Sequence, residues 1–341
     1  MLTYETLAHK PGAFKSMTGL TIDEFEDLLA DLRPRDEAAR QERYVATPRR
    51  RAPGGGAKPR YALRERLLMT LVWLRLSLTG DAVGVLFDVD KSTVSRYTRS
   101  LLRLLRDQGR DTLGWPEEAQ ALLGTADGAD EGGGADEGGD ADEGGDADEG
   151  DDADEGDDAD SVAIIDATAQ RVERSHDHAT QKAHYAGKKK AHTRKTLIVV
   201  NERGRLRSVS PSVPGSVHDL TLLRQCGTLE EIPSTLSLMA DSGFQGLHND
   251  APERSVALPY KGSTAHPLTP EQKLHNAHLS RIRIVVENTL AEMKHVRILA
   301  DVFRHPLTLY DGIFVSIAGL VTRRADQRLA DQRQTVFPLA A

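Results

Sequence analysis

A single cysteine, Cys226, is all that 341 residues provide. That excludes an intramolecular disulfide and any cysteine-based zinc finger, and a reduced, intracellular compartment is the simplest setting. The start, MLTYETLAHKPGAFKS, has no apolar run behind its charges, so no signal peptide is expected. Nor is there a run of membrane length: the longest, Gly312 to Val321, is ten residues, about half of what a bilayer requires. A soluble chain is expected.

Lys and Arg are missing altogether from residues 126–160, which hold 18 acidic residues in ADEGGD-like repeats. The stretch also has no aromatic and no branched aliphatic side chain, so it cannot bury enough apolar surface to offset chain entropy and is expected to be disordered. A Gly-rich coil of this length spans roughly 30–35 Å, more with self-repulsion. The formal net charge of −8 is therefore misleading, because removing the repeat leaves +10 on the rest. Residues 1–125 carry +3 and residues 161–341 carry +7, which permits contact with nucleic acid without requiring it. Length favours two domains. The expected division is a helical domain at 1–125, an acidic linker at 126–160, an α/β domain at 161–325 and a tail at 326–341. The repeat reads either as a passive linker or as a mimic of nucleic-acid charge.

In the first region, Thr21 precedes an acidic turn and Ile22, Phe25, Leu28, Leu29 and Leu32 at helical spacing, which predicts a short amphipathic helix. Residues 48–60 form a basic Pro/Gly loop, either a solvated linker or a phosphate-tracking arm. Tyr61 to Leu78 is a dense apolar helix. A short helix over 81–87, a tight turn at Asp88 to Asp90 and a second helix from there to about Arg106 follow, capped by Asp90 or Ser92. With Val94, Tyr97, Leu101 and Leu105 facing inward, this is the pattern of a helix-turn-helix. The exposed start of the second helix offers Lys91, Ser92, Thr93, Ser95, Arg96 and Arg99, groups suited to a major groove and its phosphates; a plain αα-hairpin with a solvated face is the alternative.

In the second region, Val162 to Ile165 is a β-branched run ending at Asp166, and Thr196 to Val200 and Leu206 to Ser210 are further strands. Ser216 to Asp219 resembles a capping box opening a helix through Leu223, and Leu236 to Ala240 is a strand ending at Asp241. Residues 273–299 form one long helix or two. Three strands, a helix, a strand and more helices predict an α/β mixed sheet flanked by helices. Asp166 and Asp241 end apolar strands, and Glu287 lies on an amphipathic helix, with Arg283 and Lys294 on its face and Ile282, Val285, Val286, Leu290, Met293 and Val296 opposite. Hard oxygen ligands brought together on rigid elements suit a pair of divalent cations acting on a phosphodiester. Taken singly, Asp166 reads as a turn residue, Asp241 as an Asx turn and Glu287 as an ion-pair partner of Arg283. Lys188, Lys189, Lys190, His192, Arg194 and Lys195 form a basic loop that is either a DNA-tracking hairpin or a solvated loop. His218 and Asp219 either cap a helix or support the site. His176, His178 and His184 lack cysteine partners and read as surface residues rather than zinc ligands.

Together VAIIDATAQRVER, HYAGKKKAHTRKTLIVV, PGSVHDLTLL, MADSGFQG and RIRIVVENTLAEMK resemble insertion-sequence transposases of the IS-five and Harbinger-like DDE group, over most of 19–106 and nearly all of 161–305. In that group the glutamate helix carries a Tyr-(2)-Arg-(3)-Glu-(6)-Lys signature. Arg283, Glu287 and Lys294 fit it, while Ser280 stands at the tyrosine position. The resemblance implies a ribonuclease-H-like domain behind a helix-turn-helix domain, and a DNA transposase that cuts and joins strands. It implies Asp166, Asp241 and Glu287 as ligands of two Mg²⁺ or Mn²⁺ ions, with Arg283 and Lys294 positioning DNA. The implied partners are double-stranded DNA, as element ends and target, and further copies of the chain assembled on it. The implied location is the cytoplasm, at the nucleoid in a bacterium. A non-catalytic DNA-binding descendant and a stand-alone nuclease are the other readings.

Overall fold

The structure, a computed structural model, describes residues 1–45, 60–115 and 160–336. The acidic repeat as far as Ala159 and most of the basic loop at 48–60 lie outside the described residues. Helices come first: α1 Tyr4–Ala8, α2 Pro11–Thr18, α3 Ile22–Val45, α4 Leu63–Leu76, α5 Gly80–Phe87 and α6 Lys91–Thr112. Thr21 opens α3 as expected, in a capping box: Glu24 N donates to Thr21 Oγ1 at 3.2 Å, and Thr21 N donates to Glu24 Oε2 at 2.6 Å. The helix runs well past Leu32, through Pro34. Its second half is held by tertiary contact, because Asp36 is buried against an equally buried Arg66 at 2.7 Å.

The helices α5 and α6 make the expected two-helix unit. Thr79 caps α5 by accepting from Ala82 N at 3.2 Å. Asp88 turns the chain in the left-handed region with φ 53°, and a Cβ at Gly84 would stand 2.5 Å from Val89 O. Only glycine lets the turn close this tightly. Asp90 is the N-cap of α6 but makes no side-chain capping bond. Val94, Leu101 and Leu105 are buried as predicted, and α6 continues beyond Arg106 because Leu104, Gln108 and Gly109 are buried too.

After residue 160 come β1 Val162–Arg171, α7 His178–His184, β2 Tyr185–Ala186, β3 Ala191–Val200, β4 Leu206–Val209 and β5 Val213–Pro214. Then follow α8 Asp219–Cys226, α9 Thr228–Glu231, β6 Ser237–Ala240, α10 Leu247–Asp250, β7 Val256–Ala257, α11 Pro270–Lys294, α12 Arg297–Ala300 and α13 Tyr310–Val336. Strand β1 pairs antiparallel with β3 and parallel with β6, and β7 adds parallel to β6. The other edge of β3 is paired in turn by β2, β5 and β4. This is the mixed, helix-flanked sheet of the ribonuclease-H-like fold.

Both faces of the central strands are covered, which is why they read as continuous apolar runs. Ile164, Ile198, Val200 and Met239 face one core, with α11 to α13 and the amino-terminal helices. Ala163, Ile165, Leu197, Val199 and Leu238 face a second, under α8. The Gly312–Val321 run lies in α13, whose Ile313, Ile317 and Ala318 are fully buried. Among the described residues no helix is long and apolar enough to cross a membrane. The tail expected from 326 is helix as far as Val336.

The helical region keeps its own class of structure but shares its core with the sheet region. Helix α6 lies along α13, and α4 packs against α12, inside one apolar cluster. Where the chain leaves at Trp115 and returns at Asp160, both ends meet on Arg207 of β4. Arg207 Nη2 lies 2.6 Å from Asp160 Oδ2, Arg207 Nη1 donates to Gly114 O at 3.1 Å, and its guanidinium stands 5.6 Å over the Trp115 ring. Asn201 Nδ2 adds a 2.6 Å bond to Asp160 Oδ1. Asp160, counted with the acidic repeat in sequence, is thus a buried structural residue. Since both ends are fixed at one place, deleting 130–155 is expected to leave the fold intact. Shortening the excursion changes the closure entropy by only about 1 kcal/mol, in the stabilising direction. A thermal melt checks this, and a large fall in midpoint would contradict it.

Candidate active site

Asp166 sits midway along β1, on the face that meets α11, and Asp241 follows the last residue of β6. The register Ile165–Ala240 between these parallel strands sets the two aspartates side by side. Asp166 Oδ1 accepts from Ala167 N at 2.7 Å, and Asp241 Oδ1 accepts from Gly243 N at 2.7 Å in an Asx turn. The Asx turn suggested by sequence for Asp241 therefore forms, and one oxygen of each carboxylate is held by a backbone N–H.

A third carboxylate joins them, and it is Asp219. Gly215 presses against β3, where a Cβ would stand 1.8 Å from Thr193 Oγ1, and its N–H donates to Thr193 O at 2.8 Å. This strap brings the start of α8 to the site. The capping box expected there does not form: His218 is the N-cap without a side-chain bond and is exposed. Asp219 instead pairs with Lys195 at 2.7 Å, and Lys195 also donates to Val217 O. A Cβ on Gly243 would lie 2.6 Å from Asp219 Oδ2 and 2.9 Å from Asp241 Oδ1, so the two carboxylates crowd the same glycine.

Burial pushes the Asp166 carboxyl up to about 6; its bond from Ala167 N opposes this, Asp241 adds to it, Arg283 opposes it and Asp219 adds again. Arg283 is half-buried, and its Nε is buried without a hydrogen-bond partner. Glu287, one turn further along α11, is exposed, and the largest charge effects on Asp166 come from Asp241, Arg283 and Asp219. Among the described residues no group of three or more His, Cys, Asp or Glu side chains is arranged to hold a metal ion. The structure therefore gathers Asp166, Asp241, Asp219 and Arg283, with Glu287 on the adjoining helix.

The basic residues divide. Lys188, Lys189 and Lys190 form an exposed turn between β2 and β3, and Lys189 Nζ donates to Ala169 O on β1 at 3.1 Å. Partial desolvation lowers the Lys189 ammonium, and Lys294, Lys195, Lys188 and Arg171 add to it. A cluster of like charges therefore stands beside the carboxylates, and its chemistry fits an anion. Arg194 is not part of it. Contrary to the sequence reading, it is turned inward, donating to Ser212 Oγ at 2.7 Å and Ser212 O at 2.9 Å beside the Tyr310 ring. Lys195 is likewise spent on Asp219 rather than on a solvated loop. His184 is buried and bonded to Thr180 O, not on the surface. On α6, Lys91, Ser92, Arg96 and Arg99 are exposed and Thr93 half-exposed; Lys91 pairs with Asp81 at 2.9 Å, and Arg96 donates to Thr93 Oγ1 at 2.9 Å.

Gly243→Ala tests the carboxylate arrangement. The new methyl must displace Asp219 or Asp241, so an activity that depends on them should fall by about tenfold or more, at a stability cost of about 1–3 kcal/mol. Unchanged activity would mean the two carboxylates need not share that space.

Comparison with known proteins places the chain among its relatives. Residues 165–322 match the family model described as DDE superfamily endonuclease. Residues 62–111 match helix-turn-helix of DDE superfamily endonuclease. The chain is 29% identical over 145 residues to a probable transposase for insertion sequence element IS702 from Microchaete diplosiphon, covering 42% of this chain and 50% of that protein. It thus spans about half the length of the curated relative it matches. No solved structure matches.

Proposed function

We infer that the protein is a DNA transposase that binds the ends of its element and cuts and joins DNA strands, since residues 165–322 match the DDE superfamily endonuclease model and residues 62–111 match that family's helix-turn-helix. The observation that carries this reading is the pairing of Asp166 with Asp241 at adjacent strand positions, where burial and a third acid leave Asp166 short of positive charge. Hard carboxylate oxygens in such a deficit fit divalent cations.

Asp166, Asp241 and Glu287 would hold two Mg²⁺ or Mn²⁺ ions, which when bound lower the pKa of an attacking hydroxyl and take up charge on the leaving oxygen. Glu287 is the third ligand in this reading because it follows Arg283 by one turn, and an exposed carboxylate is free to be recruited. Arg283 and Lys294 position the scissile phosphate, and Lys188, Lys189 and Lys190 track the backbone beyond it. Lys195 balances the charge of Asp219, which steadies Asp241 across Gly243; His218 stands exposed beside them. Lys91, Ser92, Thr93, Arg96 and Arg99 read the terminal repeats from the start of α6. Joining two ends to one target calls for at least two copies of the chain on DNA.

Pre-cut duplexes with free 3′-hydroxyls, taken from the DNA flanking the gene, test this when mixed with a target plasmid and Mg²⁺. Joined products are expected. Nicking of the plasmid without joining would replace the reading with a nuclease, and binding without either would replace it with a DNA-binding protein.

A further inference from the structure

We propose that the helix that reads DNA is fused to the body that cuts it through a glycine-on-glycine crossing, Gly109 against Gly319, so that the fold itself fixes the distance from bound sequence to cut. This rests on the functional reading above. Helix α6 serves both ends of the task. Its first turns expose Lys91, Arg96 and Arg99, and its last turns are buried along α13.

At the crossing no side chain separates the helices. A Cβ on Gly319 would stand 2.4 Å from Gly109 Cα, and one on Gly109 would stand 2.6 Å from Val315 O. Helix pairs normally sit about 8–10 Å apart because side chains space them. Here backbone meets backbone, and sliding or tilting either helix drives it into the other. Two further ties remove the remaining freedom. The end of α6 is held to β4, where Gly114 N donates to Arg207 O at 2.8 Å. Arg75 of α4 bonds to His295 O, at the C-cap of the helix that carries Arg283 and Glu287.

Because Trp115 and Asp160 both meet Arg207, the chain between them cannot set the separation between reader and site. A 22-residue helix spans roughly 33 Å, so α6 is itself the arm between the groove-facing residues and the catalytic body. A tethered reader would let the site reach any nearby phosphate; a fused one does not.

The first test uses the full-length wild-type protein with Mg²⁺ on duplexes from the flanking DNA. Spacers of half a turn (about 5 base pairs) or one turn (about 10) are inserted between the bound sequence and the cut. Cutting should move to keep its original distance from the bound sequence, or fall by about 100-fold where the site meets a misplaced phosphate. Cutting that stays at the displaced end sequence, at nearly the original rate, would overturn the proposal while leaving the transposase reading intact. If wild-type protein binds but cuts no duplex, the functional reading fails instead. The coupling is then judged by spin labels at Arg99→Cys and Lys188→Cys in a Cys226→Ser background. A narrow distance distribution is expected, and a broad one would refute the fusion. A second test is Gly319→Leu against Gly319→Ala. Both should bind the duplex as the wild type does yet spread or shift the cut, leucine more than alanine. Cuts at the wild-type nucleotide with the wild-type spread in both variants would overturn it.

Discussion

Asp166→Asn should lower metal-dependent DNA cleavage on the order of 10³-fold while making the metal-free protein more stable at neutral pH. The two effects have opposite signs for one reason. In the proposed site Asp166 holds a cation; without one, its partly buried charge is a liability. The unfolded carboxyl ionises near its ordinary value of 3.8, but the folded one does so only at about 6. Folding is thus unpenalised below the lower value, loses stability as pH rises between the two, and carries the full penalty above the upper one. The gap between these two values corresponds to at most about 3 kcal/mol, or several degrees in thermal midpoint. Asparagine removes the charge, keeps the shape and removes the penalty. Loss of a metal ligand or oxyanion contact lowers rate by 10²–10³ or more in other hydrolases, hence the order of magnitude. Cleavage assays and melts at pH 7.5 in EDTA decide it. A variant that loses activity and stability together would mean Asp166 is structural.

The second large effect concerns DNA affinity. Replacing Lys91, Arg96 and Arg99 together by Ala should weaken binding to the element's ends by about 100-fold at 0.15 M salt, and should flatten the dependence of affinity on salt. Each phosphate neutralised by a cation steepens that dependence by about 0.9 in log–log slope, so removing three should lower the slope by about 2.7. The Lys91–Asp81 pair does not oppose this, because both side chains are more than two-thirds exposed and such pairs contribute about 0–1 kcal/mol. Filter binding at several salt concentrations measures both quantities. An unchanged slope would move the DNA contact elsewhere, the exposed Lys188–Lys190 turn being the next candidate.

Much of this architecture is legible in the sequence, for identifiable reasons. Strands β1, β3 and β6 stand out because both faces are buried, and α5 and α6 because a tight turn at Asp88 to Asp90 separates two helical runs. Asp166 and Asp241 end apolar runs whose register then places them together. What could not be read depends on contacts between distant segments. Pro34 argues against a long α3, and only the buried Asp36–Arg66 pair explains its persistence. Asp160 is one of 18 acids in a repeat until Arg207 closes over it. Arg194 and Lys195 belong to a basic run, and only Ser212 and Asp219 show that they turn inward. Asp219 reads either as a helix cap or as support for the site; the strap at Gly215, whose partner Thr193 is distant in sequence, brings it against Asp241 across Gly243. Glu287 shows the reverse: sequence assigns it to the triad, while the fold leaves it exposed on α11, beside the site.

The central claim is that these acids make a metal-dependent DNA-cutting centre. Its most direct test is a duplex from the DNA flanking the gene, incubated with the protein in Mg²⁺ and in EDTA, with products resolved to the nucleotide. The account predicts a cut leaving a 3′-hydroxyl at the element's end in Mg²⁺, none in EDTA, and none in either condition for Asp241→Asn or Glu287→Gln. Cutting that persists in EDTA, or that survives either substitution undiminished, would contradict it.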